Sequence, residues 1–269
     1  MSRRVLLMDN GSLEPGSTLQ LRRLAAALEA KIGVRVEPVS LAHSAKVPAS
    51  ELDGRPAELF EAALDRLIGE GARDIVVAPL FVGPSHAVVR HVPAVVAERK
   101  KATPGLKVEI AAPLFVAGEQ RLAEILADHA REEIKALATG ARVAVVDHGS
   151  PSRAVTAVRD AVAEQVRLLL GSAVIEVAAC SMERREGDEF AFNEPLLGNL
   201  LAREGWRDGA VVVALLFIGP GKHAGADGDV AQIVRRARAG KTDTVRFTPV
   251  MGLHPRLIEI LADRVGAVS

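Results

Sequence analysis

Two histidines, His148 and His223, close apolar stretches of this sequence at places where a metal or a proton could be handled. Residues 143–150 read VAVVDHGS. The apolar, largely β-branched run reads as a buried strand that delivers Asp147, His148, Gly149 and Ser150 into a loop, and Pro151 ends the ladder. Residues 210–217 are a second apolar run, followed by Ile218-Gly219-Pro220-Gly221-Lys222-His223. The C-terminal tips of buried parallel strands form the edge at which open α/β sheets hold ligands. Two imidazoles brought together there can ligate Fe, Co, Ni or Zn. The acidic loop over residues 180–189 could add a base or a third ligand, and Glu183 lies closest to the strand end. Glu194 is second choice, because it precedes Pro195 at a helix start, where a carboxylate often only complements the dipole. Arg153, Arg184, Arg185 and Lys222 gather on the same expected edge, with Ser150 beside them, a set suited to a multiply acidic ligand. His43, His91, His129 and His254 read as solvated surface residues, and Cys180 as a small buried filler.

Three rival chemistries fit less well. G-x-S-x-G is absent, and Ser150 is too close in sequence to His148 for a hydrolase triad. A phosphohistidine enzyme would want an arginine directly before His-Gly, where Asp147 stands. Residues 219–224, GPGKHA, formally fit G-x-G-x-x-G/A with Asp243 following, but they lie in a third βα unit and contain a proline.

The elements that must position the histidines occur twice. DHGS at 147–150 repeats DNGS at 9–12 with an offset of 138; FIGP at 217–220 repeats FVGP at 81–84 with an offset of 136; EILAD at 259–263 repeats EILAD at 124–128 with an offset of 135. Three matches in near-constant register mean a duplicated unit, with halves 1–138 and 139–269. In the first half, strands are expected over residues 5–8, 34–39, 75–81 and 108–114, and helices over 19–33, from Pro56 through Ile68, over 93–101 and over 119–137, with a polar loop over 41–54. Alternating strands and helices imply an α/β fold with a four-stranded parallel sheet in each half. The doubly wound order 2-1-3-4 would set the strands ending at His148 and before His223 side by side, about 4.8 Å apart.

Composition narrows the partners. The 269 residues balance 34 Lys+Arg against 34 Asp+Glu, so the chain lacks the basic excess of a nucleic-acid binder. Aromatic residues are 3% and tyrosine is absent, which leaves little for base stacking. A single cysteine precludes an internal disulfide and fits a reducing, cytoplasmic setting. No apolar stretch reads as a signal peptide or a membrane span.

A strand ending in DHGS, a strand ending in PLF-x-G-P-x-H and a duplicated half together resemble the CbiX-like class II chelatases, which include the sirohydrochlorin cobalto- and ferrochelatases. The resemblance spans nearly the whole chain, as two CbiX-like halves. It implies two α/β lobes with the active-site cleft between them, and ATP-independent insertion of Co²⁺ or Fe²⁺ into a tetrapyrrole on the way to cobalamin or siroheme. The metal is substrate, Ni²⁺ is accepted by the same ligand types, and no organic cofactor is implied. The family's two metal histidines fall on His148 and His223; in the first half one matches at His86, an expected substrate contact, and the other is Asn10. Sirohydrochlorin's eight carboxylates would account for the basic rim. Neither nucleic acid nor membrane is an expected partner, and a duplicated chain can close its own cleft as a monomer. Asn10 also motivates a second reading, a non-catalytic tetrapyrrole- or metal-binding protein derived from a chelatase.

Overall fold

A computed structural model describes residues 3–137 and 140–268. In the first half, β1 (Arg4–Asp9), β2 (Val36–Ser40), β3 (Asp74–Pro79) and β4 (Lys107–Ile110) form a parallel sheet in the order β2-β1-β3-β4. In the second half, β5 (Ala141–Asp147), β6 (Val174–Ser181), β7 (Ala210–Leu215) and β8 (Val245–Phe247) repeat it as β6-β5-β7-β8. These are the expected α/β sheets, and β5 and β7 are neighbours. The central strands are buried along almost their whole length, as parallel strands covered on both faces must be.

The helices are α1 (Pro15–Ile32), α2 (Phe60–Gly69), α3 (Val92–Ala102), α4 (Arg121–Lys135), α5 (Arg153–Leu170), α6 (Leu197–Leu201), α7 (Asp229–Ala237) and α8 (Pro255–Gly266). Helix α1 starts on Pro15 and stops at Gly33, whose φ of 68° is left-handed. Two details depart from expectation. Pro56 does not open α2, which begins at Phe60, because the chain first pairs extended with β2 through a Ser40–Leu59 bridge. A π-helical turn, Ala87–His91, runs directly into α3.

The halves of the sequence are not the compact units of the fold. One unit takes the chain up to Ala117 and resumes at Pro255; the other is Gly118–His254. Helix α4, the last helix of the first half, packs against α5 and β7, while α8, the last of the second half, packs against α1 and β3. Both bury the same face of the EILAD motif: Ile125, Leu126 and Ala127 in α4, Ile260 and Leu261 in α8. Their anchors match as well. Arg264 of α8 donates to the carbonyls of Pro113 and Leu114, and at the corresponding place on α4 His129 lies beside the backbone of Pro249. His129 and His254 are therefore not the solvated residues expected. Their rings pack edge-on with centroids 5.4 Å apart, and burial, together with His254, lowers the pKa of His129. His43 and His91 are exposed.

Candidate metal and tetrapyrrole site

The site grows from the tip of β5. Past Asp147 the backbone keeps pairing with the segment after β6: Met182 N–H donates to Asp147 O, and Glu183 N–H to His148 O. This draws the two loops so close that Gly149, with φ of 93°, has no room for a side chain; a Cβ there would lie 1.9 Å from the Glu183 carbonyl oxygen. Below the loop, the carboxylate of Asp147 accepts from Ser181 Oγ at 2.6 Å and from Gly149 N–H at 3.1 Å. Burial raises the pKa of Asp147, and Ser181 and Arg159 counter the rise. Arg159, only 2% exposed, donates through Nη1 to Ser181 Oγ at 2.6 Å and to the Asn193 carbonyl at 2.9 Å. The wholly buried Asn193 holds both backbone groups of Ser150, its Oδ1 taking the N–H and its Nδ2 donating to the carbonyl. The whole DHGS loop is thus pinned from beneath.

On this footing His148 and His223 meet. Their rings are edge-on with centroids 4.7 Å apart. His223 Nδ1 lies 2.7 Å from Asp229 Oδ2, and His148 Nδ1 lies 3.2 Å from the Gly149 carbonyl. With both Nδ1 atoms acting as donors, each ring leaves Nε2 as its basic nitrogen, the usual way a partner fixes the tautomer of a metal-binding histidine. Glu183 Oε1 is 3.5 Å from His148 Nε2. Among the described residues no three His, Cys, Asp or Glu side chains form a group able to hold a metal by themselves.

The basic residues divide into two groups. Lys222 is 73% exposed at the side chain, with Nζ 4.0 Å from Asp229 Oδ2. Arg153 lies over the ring of Phe192 at 4.6 Å and Arg185 over that of Phe190 at 5.9 Å, the two phenyl rings being 6.3 Å apart. Arg184 is committed elsewhere, to Glu194 Oε1 at 3.0 Å and to the carbonyls of Arg185 and Gly187. Glu194 also accepts the Leu196 N–H ahead of α6; burial works to raise its pKa, but these hydrogen bonds bring it below the usual carboxylate value. Ser150 Oγ accepts the Ser152 N–H and so faces the start of α5. Cys180 is wholly buried, and burial pushes its thiol pKa up, consistent with a packing role. The GPGKHA residues are followed by bends and turns, and α7 begins only at Asp229, so the glycines do not open a helix as a dinucleotide loop requires.

The first unit repeats this framework without its chemistry. Leu41 and Ala42 N–H donate to Asp9 O and Asn10 O, and Gly11 packs on the Ala42 carbonyl. Asn10 thus stands for His148, and Ala42 for Glu183. Helices α1 and α5, both of 18 residues, align Leu21 with Arg159. Ser40 N–H donates to Glu58 O as Ser181 N–H donates to Pro195 O, which places Pro56 opposite Asn193. His86 is exposed at the entrance to the π-helical turn. Sequence reading missed Arg159, Asn193 and Asp229; the offset of 138 alone would have flagged Arg159 as an arginine opposite a leucine.

The lost arginine has a consequence. Asp9 keeps its hydrogen bonds from Ser40 Oγ and Gly11 N–H, but burial raises its pKa from 3.8 to about 6. A carboxyl group with a raised folded-state pKa favours folding most when protonated, so its contribution is present at low pH and is lost as pH rises from about 4 through about 6. Replacing Asp9 with Asn should remove that loss. The variant should gain stability relative to the wild type by up to about 3 kcal/mol at pH 7, with the gap closing toward pH 4, in denaturant titrations at both pH values.

Two doubly wound four-stranded sheets, one carrying a histidine pair at its switch point, define the class II chelatase fold. The chain belongs to the CbiX family: the family model matches it twice, over residues 4–133 and 142–268. Among solved structures it is similar to SirB from Bacillus subtilis with Fe³⁺, at 16% identity and TM-score 0.71 over 99% of this chain and 95% of that one. It is also similar to the sirohydrochlorin chelatase SirB from Bacillus subtilis subspecies spizizenii in complex with cobalt, at 15% identity and TM-score 0.71 over 99% and 94%. A third is CbiX, described as the terminal enzyme of siroheme biosynthesis in denitrifying bacteria, at 18% identity and TM-score 0.61 over the whole of both chains. At these identities the likeness is one of fold. No curated protein matches the sequence. No helix among the described residues is long and apolar enough to cross a membrane.

Proposed function

We propose that this metal chelatase inserts a divalent cation, Co²⁺ or Fe²⁺, into sirohydrochlorin or a closely related tetrapyrrole without ATP, at His148 and His223. The observation that carries the reading is the histidine pair itself, with each Nδ1 engaged and each Nε2 left to a metal. An ion that must be handed on is best held by an open set of ligands; a closed four-ligand cage is the mark of a structural site. Two imidazoles fit that need, replacing part of the ion's water shell and leaving positions for the pyrrole nitrogens.

Insertion is balanced in charge: one M²⁺ enters and two pyrrole N–H protons leave. Glu183, beside His148 Nε2, is the proposed proton acceptor. Lys222, Arg153 and Arg185 would face the substrate carboxylates, while Arg184 and Ser150 act by shaping the loops that carry them. The fold family, the cobalt and iron in the related structures and the imidazole ligands all suit either metal; the substrate's polyacid character suits the cationic rim. We place the enzyme in the cytoplasm, in cobalamin or siroheme synthesis.

The deciding experiment incubates purified protein with sirohydrochlorin and Co²⁺, Fe²⁺ or Ni²⁺ in turn, following the absorbance change against the uncatalysed rate. Catalysed insertion of at least one metal is expected; a spectral shift that saturates at one equivalent of protein without turnover would mark a binding protein instead. Lys222→Ala should raise KM severalfold with kcat nearly unchanged, because an exposed cation holds substrate and transition state alike. The effect should fade in high salt. Unchanged KM at low ionic strength would remove Lys222 from the rim.

A further inference from the structure

The first unit holds a cavity of about 370 Å³ between α1, β2 and the segment before α2. Its wall includes Thr18, Leu21, Ser40 and Pro56. The corresponding place in the second unit is filled by the protein's own guanidinium. There Arg159 reaches from α5 to Ser181 Oγ and the Asn193 carbonyl, and Thr156 Oγ1 donates to Asn193 Oδ1. In the first unit Leu21 replaces the arginine and Pro56 replaces the asparagine. The acceptors survive without their donor. Ser40 Oγ still donates to Asp9 at 2.6 Å. Thr18, the equivalent of Thr156 and only 4% exposed, has an Oγ1 with no hydrogen-bond partner. A buried hydroxyl in that state is unfavourable relative to a satisfied one.

Arg22, one position beyond Leu21, is a partial substitute. It donates to the carbonyls of Leu52, Arg55 and Pro56 and so secures the loop, but none of these bonds goes to Ser40 or Thr18. The cavity wall carries three arginines and three glutamates; Glu29 pairs with Arg35, Glu37 and Glu58 pair with Arg66 from outside the wall, and the Asp9 carboxyl lies behind Ser40.

We propose that this cavity binds a small guanidino compound, whose guanidinium takes the place that Arg159 fills in the second unit and hydrogen-bonds Ser40 Oγ, Thr18 Oγ1 and the Pro56 carbonyl. A guanidinium suits it better than an ammonium or a metal ion: it is weakly hydrated, planar, and presents several N–H donors to acceptors spread along one wall. The volume accommodates a molecule the size of a free amino acid rather than the guanidinium alone. The site is separate from the histidine pair and does not depend on metal insertion.

The test titrates methylguanidinium chloride into the full chain, followed by NMR and calorimetry. Tetramethylammonium chloride serves as a cation without N–H donors, and sodium phosphate as an anion. Methylguanidinium should bind saturably at sub-denaturing concentration and shift the resonances of Thr18 and Ser40, with neither control doing so. Thr18→Val should weaken it about tenfold or more, the value of one hydrogen bond from a charged donor. Leu21→Arg should abolish it, because the chain then carries its own guanidinium. Absence of saturation, equal binding of tetramethylammonium, binding of phosphate in its place, or undiminished affinity in Thr18→Val would each overturn the proposal. Thr18→Val, an isosteric change, carries the test should Leu21→Arg fail to fold.

Discussion

His148→Ala and His223→Ala should each lower the rate of metal insertion by about 10²-fold or more, while His86→Ala stays within about threefold of the wild type. The two histidines form one ring pair, so removal of either would dismantle the same proposed metal site. His148 is exposed and His223 only partly buried, so their side chains contribute little to the core, and both variants should retain the wild-type circular dichroism and melting temperature. His86 lies in the unit where Asn10 and Ala42 stand in place of His148 and Glu183. A neutral amide is a poor metal ligand and no base at neutral pH, so the position that matches His148 offers His86 no second imidazole. Equilibrium binding of Co²⁺ in the absence of tetrapyrrole gives an independent readout, since its visible spectrum should change in the wild type and in His86→Ala but not in the other two. A dead His86→Ala beside an active His223→Ala would place the working site in the first unit and reverse this assignment.

The parts of the fold that were legible are those in which local pattern and tertiary role agree. Apolar runs at 5–8, 75–79 and 143–146 can only be buried parallel strands once helices intervene, and the DNGS/DHGS offset identifies β1 and β5 as counterparts. The adjacency of β5 and β7, and with it the meeting of His148 and His223, followed from the doubly wound order alone. The exchange of α4 and α8 was not legible, because both helices carry the same EILAD motif and either could cover either sheet by its own pattern. The status of Arg184 was hidden for another reason: a basic residue in a loop reads the same whether it faces solvent or, as here, clasps Glu194 and two carbonyls. Asp229 reads in sequence as an acidic residue opening a helix, and its bond to His223 depends on the turn of residues 223–228, which no periodicity specifies.

Arg159→Leu copies into the second unit the residue that the first unit already has, and it should cost about 3–5 kcal/mol of stability. In α1 the leucine is tolerated because its surroundings changed with it: Pro56 presents no side-chain amide, and Arg22 has taken over the loop carbonyls. In α5 none of those compensations exists. Asp160 follows Arg159 and cannot replace it as a donor, while Ser181 Oγ, the Asn193 carbonyl and the carboxylate of Asp147 all lose the positive charge they surround. A buried carboxylate stripped of its nearby cation is the expensive outcome, whereas an exposed ion pair such as Arg167–Glu164 would hardly register. For a unit of this size the unfolding transition of the second unit should fall by roughly 6–15 °C at pH 7. The loss should shrink in acid, where Asp147, its pKa already raised by burial, takes up a proton and no longer needs the guanidinium. Insertion activity should fall as well, since the loop bearing His148 rests on Asp147 and Ser181. Thermal denaturation of Arg159→Leu and Arg159→Lys at pH 7 and pH 4 measures the stability changes, and the sirohydrochlorin absorbance assay measures the activity. Lysine keeps the charge but not the fork, so it should recover part of the stability; a leucine variant as stable as the wild type at pH 7 would show that the buried network does not hold the loop.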